Sequence, residues 1–377
     1  MKKNSLLIIS DTPMWGKENS KFFVFEPTLR EVERLADLFE VVYWIGYRHG
    51  LEPELLARSP LKPHIKVIML PYAVGGNRFY HKLKILPFLP KMIITVVKNI
   101  KLNSVIHTRG PSVPALIAIL FSFFDRSRIY WHKYAGNWRQ NPAPLAYAVQ
   151  RCLLRRNLHQ ITVNGTWSGE RANIINLENP CFTREEIQLA KDIVRSKSPA
   201  NLITICFVGA LVPAKGVNVL IKALAKVAHI EKIACVLIVG DGAERKQLEG
   251  ESKHLPFQIK FLGNLLRDQI DEVYAQSDII VLPSKSEGFP KVIAEAAAFG
   301  CVPIVSNVSA ISQYIIHGNN GLLLENTDPS TVAKYIDSIL TDFSKLRKMQ
   351  TKVMEMAEGF TYERFVERVK NEILKPW

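Results

Sequence analysis

Two doubly wound parallel-sheet α/β domains in tandem are what this sequence predicts. Three observations carry the expectation. Short apolar runs alternate with helical patterns through both halves of the chain. A length of 377 residues is long for one core and suits two. A polar break at residues 195–200 precedes the apolar run 202–208, as a linker before a new first strand would. With 47% hydrophobic and 22% charged residues, the chain is a folded globular protein and not a disordered one.

In the first half, strands are expected at 5–10, 41–46, 65–70, 104–108, 128–132 and 160–164. The helix after the first of them, about 27–39, carries Leu29, Val32, Leu35, Ala36 and Phe39 on one face at helical spacing. The run 78–94 mixes bulky apolar and basic residues. It fits a membrane interface, where apolar area and attraction to anionic lipid add, or a packed helix with a solvated basic face. In the second half, strands are expected at 203–208, 234–239, 259–262, 279–282 and 302–306. Helices fit 216–228, 243–251, 267–276, 290–299 and 330–340. The last stretch, 361–374, is a helix with Tyr362, Phe365, Val369 and Ile373 on one side.

The formal charge of +14 resides entirely in the first half, where residues 1–199 hold 29 Lys and Arg against 15 Asp and Glu. Between Arg58 and Arg156 there are 17 basic residues and one acid, Asp125. Such an imbalance argues for an anionic partner: nucleic acid, an anionic membrane surface or a phosphorylated acceptor. Nucleic acid is the weakest of the three, because the basic half shows no recognition motif. Five scattered cysteines without a C-x-x-C pair point to reduced thiols in a cytoplasm. The longest uncharged apolar stretch, 111–124, is shorter than the ~20 residues a spanning helix needs and contains two prolines. The apolar core at the N-terminus is too short for a signal peptide.

The chemistry concentrates in residues 284–300, SKSEGFPKVIAEAAAFG. This stretch follows the apolar run 278–282, so it reads as a buried strand, a tight loop and a helix. Pro290 suits the first helical position, and Gly300 ends the helix. That leaves the N–H groups of Lys291, Val292 and Ile293 at a positive helix end on the carboxyl edge of a parallel sheet, an anion site. Glu287 and Glu295 accompany it. Around residue 209 the stretch FVGALVPAKG has Gly209 for close backbone approach and Lys215 as a point charge for phosphate. Ile238–Glu244 is a strand, a glycine turn at Gly240 and a helix start.

The spacing of Glu287 and Glu295 resembles the Glu-x7-Glu signature of the retaining GT-B glycosyltransferases of group 1, bacterial surface-polysaccharide type. Four companion stations in order, at 207–216, 238–244, 261–265 and 318–323, strengthen the resemblance. It implies a GT-B fold, two Rossmann-like domains facing across a cleft. Residues 1–197 would bind the acceptor and 198–358 the nucleotide sugar, with the 359–377 helix packing back on the first domain. In that family the second glutamate, here Glu295, holds the ribose, and the first, Glu287, lies beside the donor sugar. The segment Gly288, Phe289, Pro290, Lys291 and Val292 would take the diphosphate together with Gly209, Gly240 and Lys215, while Leu262 and Gly263 would read the base. The sequence departs from the family at Ala210, where an arginine is expected, losing about 1.5–3 kcal/mol per charged hydrogen bond.

In the first half, His132 at an expected strand end resembles the family histidine that faces the donor sugar. Glu287, His132 and Lys215 are therefore the expected catalytic residues, and Gly16, Arg109 and Lys133 the expected acceptor-binding ones. The sequence has no Asp-x-Asp, so no metal and no cofactor are expected. By resemblance, the acceptor hydroxyl attacks on the leaving-group face and a donor phosphate oxygen takes its proton. The expected acceptor is anionic and lipid-linked, met at the inner face of the membrane by a cytoplasmic, peripheral protein. Rival readings are a nucleotide-sugar epimerase of the same fold and a non-catalytic sugar-nucleotide-binding or scaffolding subunit.

Overall fold

The computed structural model describes residues 4–17, 21–71, 85–196 and 202–375. The chain forms two compact units, one running to Leu177 and taking in the C-terminal segment from Val366, the other Glu178–Phe365.

In the first unit the strands are β1 (Ser5–Gly16), β2 (Phe22–Phe25), β3 (Val41–Gly50), β4 (Ala57–Arg58), β5 (Ile65–Leu70), β6 (Val105–Gly110), β7 (Ile129–Tyr134), β8 (Gln160–Val163) and β9 (Ile174–Asn176). The helices are α1 (Glu26–Ala36), α2 (Leu89–Leu102), α3 (Val113–Ser122) and α4 (Leu145–Arg156). Strands β3 and β6 both pair parallel with β1; β5 continues beyond β3, and β7, β8 and β9 continue beyond β6. Chain direction across the sheet therefore reverses between β1 and β6, the place where a doubly wound sheet opens its ligand crevice. Strand β1 exists because Leu6, Leu7, Ile8 and Ile9 are all buried, as a strand covered on both faces must be. The hairpin into β2 turns at Gly16, with φ +93°, where a Cβ would lie 2.6 Å from the Lys21 carbonyl oxygen. That position is closed to any L side chain, so Gly16 is explained by the turn itself.

The second unit contains α5 (Arg184–Ser196), β10 (Ile203–Val208), α6 (Val217–Leu224), β11 (Ile233–Val239), α7 (Arg245–Ser252), β12 (Gln258–Gly263), α8 (Arg267–Gln276), β13 (Ile279–Leu282), α9 (Lys291–Ala298), β14 (Val302–Ser306) and β15 (Leu322–Leu324). Helices α10 (Pro329–Leu340), α11 (Phe343–Ala357) and α12 (Tyr362–Arg368) follow. Its sheet is parallel throughout, in the order β12-β11-β10-β13-β14-β15, and reverses between β10 and β13.

The unit boundary falls earlier than the expected 197/198. Helix α5 precedes that point, but its Ile187 and Ala190 are buried in the second unit's core, so packing assigns it there. At the other end, the expected apolar side of 361–374 is buried at Tyr362, Phe365, Val369 and Ile373. From Val366 the chain clusters with the first unit, where Arg368 donates to the Asn176 carbonyl at 2.7 Å. The first part of the 78–94 run lies outside the described residues; its remainder is a 3₁₀ turn at Leu86–Phe88 and the start of α2. No helix among the described residues is long and apolar enough to cross a membrane.

Candidate active site

The loops that follow β10 and β13 leave adjacent strands at the reversal of the second sheet, and they are stitched together. Lys285 N–H donates to the Ala214 carbonyl at 2.9 Å, and the Ser284 hydroxyl reaches the Lys215 carbonyl at 3.4 Å. This brings the Lys215 ammonium to 2.6 Å from Glu287 Oε1, although 71 residues lie between them. The glutamate side chain is 9% exposed and the lysine 32%. An ammonium has three N–H groups, so one bond to Glu287 leaves two for an anion. Phe289 is an anchor for the loop: it is 6% exposed and stacks on Phe360 at 5.0 Å and tilts against Tyr314 at 4.7 Å. Gly288 is half-buried beside it.

Helix α9 begins one residue later than expected, at Lys291, because Pro290 is extended (ψ 123°) and serves as the N-cap. The Ile293 N–H donates to the Pro290 carbonyl at 3.1 Å, so it is not among the open donors of the helix end. The Lys291 carbonyl accepts from Cys181 Sγ at 3.8 Å, and Val292 packs partly against the core. Gly240 takes φ +123° and sits so close to the β10 loop that a Cβ would lie 2.0 Å from the Gly209 carbonyl oxygen. Gly209 donates to the Val239 carbonyl at 3.0 Å and Gly240 to the Gly263 carbonyl at 2.8 Å, tying the ends of β10, β11 and β12 together. Leu262 packs partly against the same core, and Ala210 is exposed.

Glu295 is held from α8. Its Oε1 lies 2.8 Å from Arg267 Nη1, and its Oε2 accepts from the Tyr274 hydroxyl at 3.3 Å. Arg267 also pairs with Asp271 at 3.0 Å and lies over the Phe182 ring, 4.8 Å from its centroid. Burial alone would lower the Arg267 pKa, but Glu295 and Asp271 outweigh it and hold the guanidinium above its ordinary value. Burial, reinforced by Glu295, raises Tyr274 well above the usual phenol range. Sequence reasoning missed Arg267 and Tyr274. Tyr274 lies at a core position of α8, and nothing in the spacing of Arg267 marks it as a partner of Glu295.

The first unit corrects three expectations. Strand β7 runs on to Tyr134, so His132 is not at its end but two residues inside it. His132 is fully buried, with Thr108 Oγ1 at 2.8 Å from Nδ1 and Ser122 Oγ at 3.2 Å from Nε2. Burial, with His159 nearby, lowers its pKa to about 3. Both ring nitrogens therefore have partners inside the first unit, unlike those of a strand-end histidine open to a ligand. Arg109 and Lys133, register partners on β6 and β7, turn under α1 and close on one carboxylate. Arg109 Nη1 and Nη2 lie 2.6 and 3.2 Å from the two oxygens of Glu31, and Lys133 Nζ lies 2.8 Å from Oε1. Lys133 is 4% exposed and Glu31 is fully buried. Lys133 is therefore part of a buried ion cluster, and Arg109, 15% exposed, forms its outer edge. Glu31 was also missed, since four residues before Leu35 on α1 an acid reads as solvated.

The buried His132 sets a pH dependence. Between pH 6.5 and about 3 the unfolded chain binds a proton at this residue and the folded chain does not. Stability should fall as pH drops through that window, by about 1.4 kcal/mol per pH unit from this group, and the group contributes nothing above it. Urea midpoints of wild type and His132→Gln at several pH values measure the slope. A flatter acid limb with turnover retained fits the buried role, whereas folded protein that has lost turnover would return His132 to the chemistry.

Residues 190–356 match the family model described as glycosyl transferases group 1. An uncharacterized glycosyltransferase from Haemophilus influenzae is 26% identical over 80% of this chain and 82% of its own length. The N-acetyl-alpha-D-glucosaminyl L-malate synthase of Bacillus anthracis is 34% identical, but over only 50% of this chain and 47% of its own. Among solved structures, Anabaena HepE in complex with UDP and glucose superposes with a TM-score of 0.69 at 18% identity, covering 99% of this chain and 100% of that one. Sucrose-phosphate synthase from Thermosynechococcus elongatus gives a TM-score of 0.72 at 19% identity and 97% coverage of both. The two parallel-sheet units together make a GT-B fold.

Proposed function

We propose that this chain, whose matches support a group 1 glycosyltransferase, moves a sugar with retention from a nucleotide diphosphate sugar to an acceptor hydroxyl. The reading rests on one observation above the rest. Lys215 and Glu287 meet at 2.6 Å where the second parallel sheet reverses. There an ammonium with spare N–H groups is paired to the loop that leads into α9, so developing diphosphate charge would be stabilised by Lys215 and backbone donors. In this scheme Glu287 orients the reacting sugar, and Glu295 takes ribose hydroxyls while keeping Arg267 and Tyr274. A donor phosphate oxygen takes the acceptor proton in this scheme, so no protein base is required.

The acceptor is a lipid-linked glycan of polysaccharide assembly, presented at an anionic leaflet. The support is the basic excess of the first half. A nucleotide-sugar screen by thermal shift, followed by turnover assays with the stabilising donor, tests the reading. Ala210, exposed where the family carries arginine, favours one rival, a subunit that binds the donor without turning it over. Stabilisation without turnover would identify that rival. Activity should persist in EDTA, since the sequence offers no Asp-x-Asp to bridge a metal to the diphosphate. Abolition by EDTA with rescue by manganese would remove the proposed mechanism.

A further inference from the structure

Helix α2 contains no acid. It buries Met92, Val96 and Ile100, and its opposite stripe carries Lys91, Ile94, Lys98, Lys101 and Leu102. At helical spacing these five fall on one side, apolar and basic residues interleaved. Ile94 is 67% exposed and Leu102 51%. The turn after α3 meets the C-terminal end of this stripe, because Arg128 Nη2 donates to the Lys101 carbonyl at 3.1 Å. That turn holds Phe124, 91% exposed, next to an exposed Arg126. The one acid of the region, Asp125, is 8% exposed, with its oxygens taken by Ser127, Arg128 and Tyr130. No negative charge from this stretch therefore offsets the surface.

We propose that the outer stripe of α2 and the Phe124 turn form a docking surface for an anionic lipid bilayer. Lys91, Lys98 and Lys101 would be drawn to the charged headgroups while Ile94, Leu102 and Phe124 enter the boundary of the acyl region, the arrangement of an interfacial helix. Large exposed apolar side chains cost free energy in water, and lysines beside them suit a negative partner better than a second copy. Two copies meeting symmetrically through this stripe would bring like charges together. The proposal deepens the reading of a membrane-held acceptor and rests on it for its biological purpose, but not for its test.

Co-sedimentation of the full chain with phosphatidylglycerol–phosphatidylcholine vesicles and with pure phosphatidylcholine vesicles, at low and high salt, is the experiment. Wild type should bind the anionic vesicles at low salt and release as salt rises. Changing Lys91, Lys98 and Lys101 together to Gln should weaken binding about 100-fold. The pair Ile94→Ser and Phe124→Ser should weaken it about 10-fold or more. All these side chains are on the surface, so thermal midpoints and the nucleotide-sugar shift should be unchanged. No binding by wild type, wild-type affinity in both variants, or a dimer dissolved by Ile94→Ser would overturn the surface. A wild type that binds vesicles but no nucleotide sugar would overturn the donor reading alone.

Discussion

Replacing Lys215 by methionine should lower kcat/KM for the donor about 100- to 1000-fold while leaving the protein folded. That range is what removal of one preorganised charge donor at a developing oxyanion costs. The side chain is 32% exposed, so its loss removes little packing, and the cost in stability comes from leaving Glu287, 9% exposed, without its cation. Glu287→Gln should chiefly lower kcat, because the carboxylate fixes the ammonium and, in the proposed function, orients the reacting sugar. Since the two residues act as a pair, the double variant should be little worse than either single one. Steady-state kinetics with product nucleotide as an inhibitor separates binding from turnover. If Lys215→Met stays within about threefold of wild type, the assignment of the diphosphate to this loop fails.

Arg267→Met should destabilise the second unit by about 3 kcal/mol, because it leaves Glu295 without its cation in a nearly buried place. Breaking one side of a buried pair costs about 3–5 kcal/mol, and exposures of 15% and 14% put this pair near the lower end. Adding Glu295→Gln should restore part of the loss, since the more buried of the two carboxylates that Arg267 meets then carries no charge. Glu295→Ala should weaken nucleotide binding, and here the structure adds a control. If Glu295 binds ribose, nucleotide affinity stays low in the refolded double variant. Were Glu295 only the partner of Arg267, affinity would recover with stability. Chemical denaturation and nucleotide titration on the same samples read both quantities.

Spacing along the chain determined the strand and helix alternation, the placement of Lys215 after β10 and of Glu287 after β13, and the two-domain α/β class. These are local properties: an apolar run long enough for a strand and a loop rich in glycine act over ten residues or fewer. The resemblance assigned Lys215 and Glu287 to one donor site, but their ion pair was not legible in the sequence. The sheet order that places β13 against β10 comes from parallel pairing between segments about 70 residues apart.

What the sequence could not decide turned on side-chain direction. A strand that ends two residues beyond the expected point left His132 inside, and Lys133 and Arg109, register partners on neighbouring strands, both close on Glu31 of α1. Likewise, Glu295 is read by its spacing from Glu287, but its carboxylate is oriented by Arg267 and Tyr274 of a neighbouring helix. Helix α5 joined the second core because two apolar side chains were buried there, although the polar break that follows it looked like a domain boundary. Tertiary structure settled these points because a buried polar or charged group demands a partner and a buried apolar face demands a core, and both came from other elements.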